Sequence, residues 1–174
     1  MRFKNINITN SFYLDMNADT NGILDFAKMF NTIAVTENLC IEKFYIVTNI
    51  NAILDEVSNI ENHKKYEVKL CFTCKRDEHF TDIETFFIDF TDTGTISNIE
   101  NGWFGMFYKY HHITCVQDLK LPNGLGCYAL KVLMREYLPD VADENDRWVV
   151  QAVTPLRVRL LNVKSVEELA SNAE

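Results

Sequence analysis

The chain has 174 residues, with 17 Lys and Arg against 25 Asp and Glu, a formal net charge of −8. Apolar residues make up 47% and charged residues 24%, with only three prolines and six glycines, which excludes a disordered or linker-rich chain and fits a single domain over 1–174. The acidic balance also excludes a protein that wraps DNA or RNA, because such affinity needs stripes of Lys and Arg, and the nearest clusters here are His63-Lys64-Lys65, Lys75-Arg76 and the pair Arg157 and Arg159.

Residues 2–9 read as a strand, with Phe3, Ile6 and Ile8 set among polar residues. A helix is predicted next, capped by Asp19, Thr20 or Asn21 and carrying Ile23, Phe26, Ala27, Phe30, Ile33 and Ala34 at 3.6-residue spacing. Residues 43–48 read as a buried strand. Asn49 or Asn51 then caps a short predicted helix with Ile53, Val57 and Ile60. The middle is rich in strands. Val68, Leu70, Phe72 and Cys74 share one face, and Glu67, Lys69 and Lys75 the other. A second strand covers 83–90, Thr91 to Gly94 is a turn, and Thr95 to Ile99 returns. Residues 103–116 form a long aromatic strand with Trp103, Phe104, Phe107, Tyr108 and Tyr110. After Pro122-Asn123-Gly124, a helix is predicted from Leu125, Ala129, Val132, Leu133 and Tyr137, ended by Pro139. Residues 147–153 and 156–160 read as strands. Ser165 and Glu168 form a capping box for a last short helix. The expected fold class is α+β: a mainly antiparallel sheet of six or seven strands with three or four flanking helices, in which 116–153 is a strand–helix–strand crossover.

The start lacks the apolar core of a secretory signal, and no apolar run approaches the roughly 18 residues of a membrane helix. The five cysteines, Cys40, Cys71, Cys74, Cys115 and Cys127, are odd in number and read as reduced thiols of a cytoplasmic protein. Cys71 and Cys74 have the spacing of half a zinc site that His111, His112 and Cys115 could complete. In a strand, however, positions i and i+3 face opposite ways, so the two are read as separate core residues and no metal is expected. Of His111 and His112, alternation lets one face solvent while the other is hydrogen-bonded near the core. Asp89, Asp92 and Gly94 read as an acidic hairpin turn rather than a calcium loop.

Gly124-Leu125-Gly126, at the start of the predicted helix, could bare backbone amides to a phosphate. The stretch Val116 to Leu130 resembles the pyrophosphate loop of GNAT-type acyltransferases, over about 40 residues in all. That resemblance implies coenzyme A binding at Gly124 and Gly126. It departs where the family pattern has Arg or Gln three residues before the first Gly, since Leu121 stands there. Two other features suit a protein partner. One is the acidic cluster Asp140, Asp143, Glu144 and Asp146; the other is the aromatic strand, with Trp103, Tyr108 and Tyr110 as anchors. The leading expectation is therefore a non-enzymatic, acidic binding protein that neutralises or inhibits a basic protein partner, as immunity proteins and phage inhibitors do, without a cofactor. The alternatives are an acyltransferase using acetyl-coenzyme A and a structural or assembly subunit that forms a homo-oligomer.

Overall fold

The computed structural model describes residues 6–18, 23–55, 65–74, 79–89, 94–99, 103–137 and 148–161. These residues form ten strands: β1 Ile6–Ala18, β2 Leu24–Phe30, β3 Thr32–Val35, β4 Cys40–Asp55, β5 Lys65–Thr73, β6 His79–Asp89, β7 Gly94–Ile99, β8 Trp103–Lys120, β9 Gly126–Glu136 and β10 Val149–Leu160. They build two five-stranded sheets, in the orders β2-β1-β4-β8-β7 and β3-β10-β9-β5-β6. Every pairing is antiparallel except β3 with β10, which is parallel. The fold is thus all-β, which corrects the α+β expectation. Among the described residues there is no helix, and so none long and apolar enough to cross a membrane.

Period-two alternation explains why the sheets pack. On β5, Val68, Leu70 and Phe72 are fully buried while Lys65, Glu67 and Lys69 face outward. On β9, Tyr128, Leu130, Val132 and Met134 point in and Lys131 and Arg135 out. On β4 the inward set is Phe44, Ile46, Thr48, Ile50 and Ala52. The two inner faces meet in one core. Its centre is a cluster of rings from both sheets. Phe12 of β1 lies 6.4 Å from Phe72 of β5, nearly parallel, and Phe44 of β4 meets Phe72 edge-on at 6.2 Å. Phe30 completes the cluster, 5.7 Å from Phe12 and 6.0 Å from Phe44.

The core also carries a polar tie. Asn10 stands opposite Thr48 in the β1–β4 register. It accepts a hydrogen bond from the Thr48 hydroxyl at 2.9 Å, and its amide donates to Thr154 Oγ1 of the other sheet at 3.1 Å.

The predicted helix over 23–34 is two strands. β2 ends at Phe30 in the first sheet, and after Asn31 the chain enters the second sheet as β3, beside β10. Arg157 N donates to Asn31 O at 2.9 Å and Leu161 N to Val35 O at 2.8 Å, which fixes this strap. The helical spacing misleads because both faces of the strap carry apolar residues, each serving a different sheet. The predicted helix over 125–137 is β9. Its Leu133 and Ala129 point outward, and together with the inward residues they imitate a 3.6-residue period. The predicted crossover is therefore absent: β8 lies in the first sheet, and β9 and β10 pair as a hairpin in the second. Where a short helix was expected after Asn49, β4 runs on to Asp55. The rest of that stretch and the final capping box lie outside the described residues.

Candidate functional site

Of the expected partner-binding residues, Trp103, Tyr108 and Tyr110 are among the described residues. Asp140, Asp143, Glu144 and Asp146 lie outside the described residues. Trp103 pairs with Ile99, and Tyr108 with Ala52 and Gly94; of these two residues only the backbone is described. Tyr110 is half-buried on the core side of β8, its ring 6.1 Å from Phe86, so it is a packing residue and not an exposed anchor. Gly124 and Gly126 do not open a helix: they close a turn and begin β9, so the helix-start amides of the acyltransferase reading are not formed. Gly124 has φ of 67°, its N donates to Leu121 O at 3.3 Å, and its carbonyl accepts from the Tyr128 hydroxyl at 2.7 Å.

Cys71 and Cys74 are buried free thiols, whereas Cys115 and Cys127 are exposed. Burial pushes the Cys71 thiol above its ordinary range. Among the described residues no three His, Cys, Asp or Glu side chains gather as a metal site.

His111 is exposed, with Nδ1 2.6 Å from Asn49 Oδ1. His112 points inward at the seam between β8 and β6. Its ring stacks on Phe86 at 3.7 Å, and its Nε2 is 3.0 Å from Glu84 Oε2 but out of line for a hydrogen bond. Thr114 Oγ1 donates to the same Glu84 oxygen at 2.5 Å. A nucleophilic triad needs the imidazole between hydroxyl and carboxylate. Here the carboxylate lies in the middle and takes the hydroxyl proton's hydrogen bond, so the group ties the two sheets together.

The richest exposed surface is the outer face of β6, β5, β9 and β10. Glu67 stands opposite both Phe87 and Arg135; Leu133 stands opposite both Lys69 and Val150. Tyr137 joins the face because its N donates to Lys65 O at 2.8 Å. The Lys65 ammonium then sits 4.8 Å from the Phe87 ring centre and 5.3 Å from that of Tyr137, and the two rings meet edge-on at 5.1 Å. Next to them Trp148 carries Lys69 Nζ at 4.8 Å and Arg135 Cζ at 4.6 Å. Arg135 is paired with Glu67 at 2.5 Å and Lys69 lies 3.7 Å from Asp82.

Lys65, Lys69 and Arg135 are therefore engaged by rings and carboxylates of the same chain, and apolar side chains stand exposed beside them. Phe87 is 45% exposed, Tyr137 38%, Val150 38% and Val153 54%. Such a face, with rings held by guanidinium and ammonium groups, has the composition of a protein-binding surface, where Trp, Tyr and Arg anchor and water is easily displaced. Sequence reasoning placed Tyr137 on a helix and Trp148 within a buried strand. The signal that finds them is the alternation Lys65, Glu67, Lys69 on β5 facing Arg135 and Tyr137 on β9. No family model and no curated protein matches the chain.

Proposed function

We propose that this chain is a non-catalytic binding protein whose docking face is the outer surface of β6, β5, β9 and β10, and whose partner is a basic protein. The observation that carries this is the exposed apolar row of Phe87, Tyr137, Val150 and Val153 beside Lys65, Lys69 and Arg135, which rings and carboxylates of the same chain engage. Charge distribution supports the partner's sign. The described residues hold ten Lys and Arg against eleven Asp and Glu, so nearly all of the −8 belongs to the rest of the chain. Asp140, Asp143, Glu144 and Asp146 fall between Tyr137 and Trp148 in sequence, that is, between two residues of the face. Acidic charge steers a basic partner while the rings supply short-range affinity.

The test is parallel capture with the native chain and the double variant Phe87→Ser, Tyr137→Ser, followed by binding kinetics of whatever is retained. The expected partner is basic, its association slows steeply as salt rises, and the variant binds it at least tenfold more weakly. An acidic partner, an association rate indifferent to salt, or full binding by the variant would remove the reading.

A further inference from the structure

The four edge strands of the two sheets are not guarded alike. Edge strands expose unpaired N–H and C=O groups and are normally blunted by shortness, bulges, prolines or a lysine standing over the edge. β3 is only four residues long. β6 pairs irregularly with β5, with two register shifts. The first sheet has β7, six residues long, at one edge and β2 at the other; β2 is seven residues long, contains no proline, and has no strand beyond it among the described residues.

Its one cation does not guard it. Lys28 has left-handed backbone, with φ of 58°, and its Nζ is folded back across its own sheet to lie 2.7 Å from Asp15 of β1. The edge is also greasy. Ile23 is 65% exposed, Leu24 41% and Met29 69%, and Leu14 of the same hairpin is exposed as well.

We infer that β2 is the contact through which two copies of this chain associate, pairing edge to edge and antiparallel so that the first sheets of both copies become one continuous sheet. A second copy is the occupant that the edge itself supplies. Antiparallel pairing of a strand with its own copy about a two-fold axis closes after two chains and uses the same patch on both, so every exposed residue of the edge meets another of the same set. The strand carries one acid, Asp25, and one base, Lys28, so like charges do not accumulate along the seam. This contact is remote from the docking face of the second sheet and does not depend on it.

The experiment is sedimentation velocity on the full chain over a wide concentration range. The expected species has twice the 20.2 kDa chain mass. Met29→Lys and Leu24→Lys, at exposed positions and with unchanged circular dichroism, are expected to weaken dimerisation at least tenfold. Val153→Lys, on the other sheet, leaves it unchanged. The inference is overturned by a native chain that stays monomeric at high concentration. A dimer that survives both β2 variants, or one that Val153→Lys dissociates, overturns it equally.

Discussion

Phe12 and Phe72 test the sandwich directly, because the first belongs to β1 and the second to β5, in different sheets. Both are fully buried, and their rings stack at 6.4 Å with an interplanar angle of 22°. Removing either ring empties space shared with Phe44, which lies 6.2 Å from each. Phe→Ala in such a core costs roughly 3–5 kcal/mol, against a total stability of about 5–15 kcal/mol. At roughly 2–4 °C per kcal/mol for a chain of this size, each single variant should melt about 10 °C lower. Beyond area, a stacked pair contributes about 0.5–1.5 kcal/mol, so the double variant should lose less than the sum of the singles by that amount. The assay is urea unfolding of native, Phe12→Ala, Phe72→Ala and double-variant chains, read as midpoint shifts at constant slope. Single losses under about 1 kcal/mol, or strict additivity, would show that the two sheets do not face each other as described.

Three other outcomes follow from named groups. Asn10→Ala should cost about 1–3 kcal/mol in urea unfolding, because the Thr48 hydroxyl loses its acceptor and Thr154 its donor inside the core; a loss no larger than that of an exposed Asn, such as Asn7→Ala, would refute the tie. Gly124→Ala should cost about 1–2 kcal/mol from its positive φ alone, since the added Cβ meets nothing closer than Leu39 Cδ1 at 3.8 Å; a Gly124→Asn variant should recover part of it. Burial raises the pKa of Cys71, Tyr66 and Tyr128. Each stays neutral in the fold to higher pH than in the unfolded chain, so the stability these groups contribute is complete below their unfolded values and falls as pH rises through the folded ones. Urea midpoints should therefore drop on the alkaline side, and iodoacetamide should label Cys115 and Cys127 well before Cys71. A flat alkaline profile, or early labelling of Cys71, would contradict this.

The strands were legible where one face is apolar and the other is charged. Val68, Leu70 and Phe72 alternate with Glu67 and Lys69, and Phe44 to Thr48 reads as a continuous buried run. Legibility failed where outward positions are apolar too. On β9, Ala129 and Leu133 face out yet stand three residues from the inward Val132 and Leu130 respectively, so the segment satisfies a helical template as well as a strand one. The strap over 24–35 fails differently: its apolar residues serve two sheets, and no single period describes a strand that changes sheets. The aromatic surface of the second sheet was illegible for the same reason. The aromatic run at 103–110 drew attention by density, whereas the rings that stand in water, Phe87 and Tyr137, are isolated in sequence and meet only through the register of β5 with β6 and β9. Charge was legible as a total but not in its location.

The strap has a kinetic consequence. β3 with β10 is the one pairing that joins an early segment to the last described strand, and it is parallel. It can close only after nearly the whole chain has been made and both sheets have begun to form. The entropic cost of that closure grows slowly with loop length, yet long-range strand pairing places a chain among slow folders, in roughly milliseconds to seconds. Until β3 docks, the C-terminal half of β10 is paired on one side only, with β9. A strand edge open in this way is what makes an incompletely folded chain prone to aggregation.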